Sequence, residues 1–263
     1  MNGIFFYFSG TGNTYAVSKE IADNLGGLEL VKLTEAHNCD VSRYDVIGFG
    51  FPVYYLHAPD IVLRTVEQLK LLPSQRVFNV ITYGASYGYA LSDVREIQKK
   101  SGAAVQEFRV KMPGNYILEY GAFPRRMQHS RIVKSKAAAL QIAKAVLEER
   151  RTKETGPNVI ARIFKHSGDN KAVAFRELGR QFYTTEDCNR CMLCATICPM
   201  SNIKTQNGSM VWQDKCLQCM ACIQWCPQNA ILHPSLKKGR KRYTHPDVIK
   251  EQLTGVYPQK AKW

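Results

Sequence analysis

Asn2-Gly3-Ile4-Phe5-Phe6-Tyr7-Phe8-Ser9-Gly10-Thr11-Gly12-Asn13-Thr14 decides how this chain folds. An unbroken apolar, aromatic-rich run bounded by Ser-Gly is what a parallel strand covered on both faces requires. Beyond Thr14, the residues Tyr15, Val17, Ile21 and Leu25 recur at near-helical spacing, and Gly26-Gly27 stops the helix. A hydroxyl- and glycine-rich loop therefore joins a strand to a helix N-terminus. Backbone N–H groups there, the positive end of the helix dipole and the Ser/Thr hydroxyls make a phosphate site. The loop has no lysine to offset a triphosphate and lacks both Gly-x4-Gly-Lys-Ser/Thr and Gly-x-Gly-x-x-Gly. A single phosphate monoester fits it better.

The same alternation continues outward. Residues 28–33 read as a second strand. Residues 44–51 read as a third, apolar almost throughout, running into Pro52-Val53-Tyr54-Tyr55-Leu56-His57-Ala58-Pro59. A helix over 61–72 precedes a fourth strand over 76–83, which opens into Tyr83-Gly84-Ala85-Ser86-Tyr87-Gly88-Tyr89. A helix over 90–101 and a fifth strand over 104–110 complete the pattern. Strands alternating with helices in this way predict an α/β fold, a doubly wound parallel sheet with ligand loops at the carboxyl ends of its strands.

Ser9-Gly10-Thr11-Gly12-Asn13-Thr14 resembles the Ser/Thr-x-Thr-Gly-x-Thr phosphate loop of flavodoxins position by position, with Asn13 in the variable place. That resemblance implies the strand order 2-1-3-4-5 and FMN as cofactor, its phosphate on residues 9–14. It implies that Pro52, Val53, Tyr54 and Tyr55 contact the isoalloxazine, with Tyr54 or Tyr55 against the ring. Tyr83, Gly84, Ser86, Tyr87 and Gly88 form the second flavin loop by the same match. Tyr87 is the expected stacking residue and Tyr89 its alternate, while His57 is expected to face solvent. Flavodoxins are usually acidic, whereas residues 1–112 carry 11 Lys+Arg against 11 Asp+Glu. The departure speaks against flavodoxin-style partner docking and leaves FMN binding untouched.

Eight of the nine cysteines form two runs, Cys188-x2-Cys191-x2-Cys194-x3-Cys198-Pro199 and, 28 residues on, Cys216-x2-Cys219-x2-Cys222-x3-Cys226-Pro227. Two-residue spacers let the backbone curl so that three thiolates grip one cubane, and a fourth ligand must come from elsewhere. The spacing is that of the bacterial iron–sulfur run C-x2-C-x2-C-x3-C-P, and residues 182–235 resemble bacterial-type 2[4Fe–4S] ferredoxins. In that motif the fourth Cys of each run serves the other cluster. The resemblance thus implies Cys188, Cys191, Cys194 and Cys226 for one [4Fe–4S] cluster and Cys216, Cys219, Cys222 and Cys198 for its neighbour. Structural zinc fits less well, because a tetrahedral ion needs four ligands, usually in distant pairs, and a third Cys with Cys-Pro is superfluous. A disulfide scaffold would want a short secreted chain with a signal peptide. Cys39 is left over and reads as a surface or semi-buried thiol.

The whole chain has 36 Lys+Arg and 22 Asp+Glu, so its net charge of +14 lies entirely beyond residue 112. Part of that excess balances negatively charged clusters. The remainder suggests redox partner proteins with an acidic docking surface. Nucleic acid, the rival explanation, rests on Lys237-Lys238-Gly239-Arg240-Lys241-Arg242, a short run of the kind found in solvated tails. No apolar run approaches the length of about 18 residues that a membrane span needs. With no signal or Arg-rich transit segment in view, a reducing cytoplasm is expected.

The predicted organisation is a flavodoxin-like domain over 1–153, a basic helical connector over 154–181, a small α+β ferredoxin domain over 182–235 and a basic tail over 236–263. Within the first, residues 113–127 read as a long loop near the flavin loops or the domain junction, and 132–151 as one long helix. A short helix over 246–253 gives the tail the means to clamp the domains together, or the tail is disordered at its end. Taken whole, residues 1–235 resemble the flavodoxin–ferredoxin fusion proteins of anaerobic bacteria. That implies an electron-transfer protein relaying low-potential electrons between two [4Fe–4S] clusters and an FMN and on to a partner redox enzyme. No nucleophile, base and orienting residue form a constellation in the sequence. Two alternatives stay open: a flavoprotein oxidoreductase reducing a small organic acceptor under a lid made by 113–127, and a dedicated reductase that activates one metalloenzyme.

Overall fold

The computed structural model describes residues 1–163 and 171–255. β1 (Gly3–Tyr7) is buried along its whole length, as its apolar run requires. It is followed by α1 (Asn13–Asn24), β2 (Glu29–Lys32), β3 (Val46–Pro52), α2 (Asp60–Gln68), β4 (Arg76–Tyr83), α3 (Ala90–Gln98), β5 (Ala104–Lys111) and α4 (Arg125–Leu147). The five strands form one parallel sheet in the order β2-β1-β3-β4-β5. This is the order the phosphate loop implied. Ile4, Phe6, Phe49 and Ile81 share one core with Val62, Val66, Leu91 and Val94, so α2 and α3 cover that face. Phe5, Phe78 and Val80 share the other with Val17, Ile21, Ala139, Ile142 and Val146, which places α1 and α4 there. Phe5, Phe6, Phe49 and Phe78 are fully buried, each side chain contributing about 1.5–3 kcal/mol over its exposed state.

Helix boundaries differ from expectation where backbone signals outweigh periodicity. The long helix starts at Arg125 rather than residue 132, because Pro124 supplies a ready-made N-terminal turn, and it ends before Glu149, whose φ is +52°. α2 stops at Gln68, since Leu69 is already extended.

Beyond α4, the connector contains α5 (Val159–Ile163) and α6 (Lys171–Arg180); its residues 164–170 lie outside the described residues, as do 256–263 of the tail. The cysteine region is small and mixed. It runs β6 (Tyr183–Thr184), α7 (Leu193–Ile197), β7 (Ile203–Gln206), β8 (Ser209–Trp212), α8 (Ala221–Trp225) and β9 (Ile231–Leu232). β6 pairs with β9 and β7 with β8, both antiparallel. The 28-residue repeat of the cysteines is also a repeat of backbone shape. Arg190, Met192 and Ser201 have φ of +57°, +60° and +48°; their equivalents Gln218, Met220 and Asn229 have +54°, +62° and +52°. Left-handed backbone at residues other than glycine costs roughly 1–2 kcal/mol each, and here it curls each run around its thiols.

The tail is not a free end as far as it is described. Residues 240–254 return across the molecule to the loop after β1, ending in α9 (Lys250–Thr254), which is shorter than the expected 246–253 helix because Ile249 is extended. Among the described residues no helix is long and apolar enough to cross a membrane.

Candidate cofactor sites

A cavity of about 330 Å³ opens at the carboxyl ends of β1, β3 and β4. Its floor is the loop before α1. The Gly12 amide donates to Ser9 Oγ at 3.2 Å, the buried hydroxyls of Thr14 and Thr82 pair at 2.7 Å, and Asn13 Nδ2 donates to the Pro113 carbonyl at 3.0 Å. Asn115 Nδ2 hydrogen-bonds Thr11 Oγ1. The first turn of α1 has no acidic residue, so nothing on the helix itself answers its positive end. The loop therefore fits a phosphate on the donors it presents.

Of the sequence-predicted residues, Ser9, Gly10, Thr11, Asn13, Thr14, Pro52, Val53, Tyr54, Tyr55, Tyr83, Gly84 and Ser86 line this cavity. Gly12, Tyr87 and Gly88 are not among its lining. Gly12, at φ +94°, faces the returning tail, where an added Cβ would lie 2.9 Å from His245 Cβ. Tyr87 turns toward β5, with the Arg109 guanidinium 4.5 Å over its ring. Gly88 backs onto the Leu56 carbonyl, which an added Cβ would meet at 1.9 Å. His57 is not a free solvent-facing ring: its Nδ1 lies 3.1 Å from Asp93 Oδ2, and it stacks on Tyr89 at 5.2 Å.

Beside Tyr54, Tyr55 and Tyr83, the cavity has aromatic walls that the sequence did not single out. Tyr116 and Tyr120, in the irregular stretch after β5, line the cavity with Asn115 and Glu119. Tyr55 meets Tyr116 edge-on at 5.3 Å, and Tyr116 meets Tyr120 at 6.4 Å. Burial pushes the Tyr116 phenol up to about 12 and raises Tyr55 and Tyr120 as well. These hydroxyls stay protonated and able to donate. The signal was present as a tyrosine-rich loop; nothing local said which side chains turn inward.

The fourth wall is made by the cysteine region. Gln218, Cys219 and Met220 line the cavity, and a Cβ on Gly10 would lie 2.4 Å from the Cys219 carbonyl oxygen. Glycine is required here by close backbone approach. Tyr54 is half-buried at the same junction, and desolvation, reinforced by Cys219 and Cys216, pushes its phenol upward.

Two further, much smaller cavities lie within the cysteine region. Cys198, Cys216, Cys219 and Cys222 line one, with Phe182 and Trp212; Cys188, Cys191, Cys194 and Cys226 line the other, with Met210 and Ile231. Each cavity thus takes three thiols from one run and the last thiol of the other. None of the eight is in a disulfide. Burial pushes the thiols of Cys194 and Cys216 up to about 11 and raises Cys198, Cys219 and Cys222 too. Among the described residues no group of three or more His, Cys, Asp or Glu closes on a point that a single metal ion would occupy. Cys39 is half-buried and stands apart from both sets.

Residues 4–137 match the flavodoxin domain family. No curated protein matches the chain. Solved structures similar to it include the flavodoxin of Streptococcus pneumoniae TIGR4 at 18% identity, covering 56% of this chain and 97% of that one with a TM-score of 0.40. Two-electron reduced Megasphaera elsdenii flavodoxin is similar at 23% identity over 54% of this chain and 99% of its own, TM-score 0.39. A flavoprotein of Lactobacillus acidophilus NCFM in complex with FMN is similar at 16% identity over 42% and 92%, TM-score 0.35.

Proposed function

The chain belongs to the flavodoxin domain family, and on that premise we propose that it is an electron-transfer protein holding FMN above the sheet and two [4Fe–4S] clusters in the cysteine cavities. FMN supplies one- and two-electron chemistry when bound, and the clusters one-electron chemistry at low potential. One observation carries the reading: Cys219 and Met220 line both the large cavity and a cysteine cavity. Those two residues belong to the wall that the two volumes share.

In this reading Ser9, Thr11 and the first-turn amides of α1 hold the phosphate. Tyr55, Tyr116 and Tyr120 offer the ring apolar faces and keep their protons. The Gln218–Met220 backbone closes the side that in a lone sheet domain would face water. Cys198, Cys216, Cys219 and Cys222 hold the near cluster; Cys188, Cys191, Cys194 and Cys226 hold the far one. Five thiols raised by burial lose a proton at neutral pH when iron offsets the charge. Residues 1–153 and 182–235 then act as two modules joined by the connector 154–181 and fastened by the described part of the tail, residues 236–255. The basic excess of the second half suits a partner with an acidic docking surface.

Anaerobic purification with iron, sulfide and flavin quantified, followed by reductive titration, tests this. About eight irons and one FMN per chain, all centres reducible, is the expected result. Iron without flavin would make the sheet domain a docking module, and flavin without iron would sink the relay.

A further inference from the structure

We propose that Arg242 sets the reduction potentials of the two clusters together, as a fixed cation held on backbone carbonyls of the second cysteine repeat. This rests on the cluster reading above. Arg242 arrives on the returning tail, and its guanidinium is held by three carbonyls of the second cysteine repeat. Nη1 donates to Ile223, and Nη2 donates to Asn229 at 2.6 Å and Ile231 at 2.9 Å. Ile223 follows Cys222 directly, and the carbonyls at 223 and 229 straddle Cys226. The group is half-buried and within electrostatic reach of both Cys226 and Cys222, which line different cavities.

Two features keep the charge in place and unspent. Its hydrogen-bond partners are neutral carbonyl dipoles, which orient a guanidinium without cancelling it. The next residue anchors the segment on both sides: the Tyr243 amide donates to Gln224 Oε1 at 2.7 Å and its hydroxyl to Asn13 Oδ1 at 2.6 Å. One-electron reduction adds a negative charge to a cluster, and a nearby cation in a medium of reduced dielectric favours the reduced state. A cation shared by both ligand sets raises both potentials.

The test is a spectroscopically monitored redox titration of the loaded full-length chain and its Arg242→Gln, Arg242→Lys and Arg240→Gln variants. Arg240 is a second cation on the same segment, but it bonds the carbonyls of Ile117 and Glu119 rather than the cysteine repeat. Arg242→Gln should shift both cluster midpoints to more negative values, Arg242→Lys should leave them near the wild type, and Arg240→Gln should leave them unchanged. A variant that keeps its iron and shows no shift, or a shift in one midpoint alone, overturns the proposal. So does an equal shift in Arg240→Gln, which would trace the effect to loosening of the tail. If Arg242→Gln fails to retain iron, Arg242→Lys decides: wild-type midpoints support the charge, displaced ones overturn it. Absence of iron in the wild-type protein would instead strike the cluster reading itself.

Discussion

At Gly10 a hydrogen atom stands where any other side chain would drive the phosphate loop away from the second cysteine run. Its missing Cβ would lie 2.4 Å from the Cys219 carbonyl and 3.2 Å from the Tyr54 hydroxyl, and a backbone oxygen has little room to yield. Overpacking of this kind costs roughly 1–3 kcal/mol, so Gly10→Ala should weaken FMN binding by about 10- to 100-fold with iron content unchanged. Flavin fluorescence titration of the variant reads this, with Gly156→Ala, which meets nothing within 4 Å, as the comparison. Undiminished flavin affinity would separate the two sites. That Ser9 and Thr11 would border one cavity and that the cysteines would gather in two sets could be read locally, because each placement depends on near neighbours in sequence. The direction of Tyr87 could not: the turn that carries it packs on Leu56, and Arg109 from the neighbouring strand lies over its ring. Tyr116 and Tyr120 were hidden for the converse reason, their direction being set by the segment they cover.

At the scale of elements, the tail from Arg240 to α9 carries a titratable lock. His245 is buried, its amide donates to the Thr11 carbonyl at 2.8 Å, and its Nδ1 accepts from the Asp247 amide at 3.2 Å. Burial holds its pKa down to about 4; Asp247 pulls upward, and Lys136 on α4 pushes down. Released from the fold, the ring takes a proton below about 6.5; docked, it stays neutral until about 4. Its effect is nil at neutral pH, and the docked tail loses up to about 3 kcal/mol as pH falls from about 6.5 to 4. Melting temperatures of wild type and His245→Asn between pH 7 and 5 check the sign: the wild type should lose more. Parallel curves would show the imidazole uninvolved. Strand and helix order were readable from alternation alone, because a buried parallel strand leaves an unbroken apolar run. Helix ends were not, since Pro124 and the left-handed Glu149 decide them against the periodicity. The tail's course was invisible, because its partners Asn13 and Thr11 lie more than two hundred residues away.

At the scale of the whole molecule, the two cysteine runs are one device. Cys198 lines the cavity of Cys216, Cys219 and Cys222, so Cys198→Ala should cost the cluster farther along the sequence, about half the iron, and leave the set of Cys188, Cys191 and Cys194 loaded. Because Cys219 also borders the large cavity, the same variant should bind flavin less tightly, whereas Cys191→Ala should not. Iron counts and electron paramagnetic resonance of both variants distinguish them; loss of the cluster nearest Cys198 in sequence would refute the crossed sets. The motif implied the grouping of thiols that the two cavity linings repeat, yet nothing in either run foretold that the second would wall the sheet's cavity. The returning tail has a further consequence, in time rather than space. Asn13 and its partner Tyr243 are 230 positions apart, and at a synthesis rate of roughly 5–20 residues per second the loop emerges from the ribosome some 10–50 seconds before its cover. Nascent chains pass through an open-loop interval that the finished protein regains only by undocking its tail.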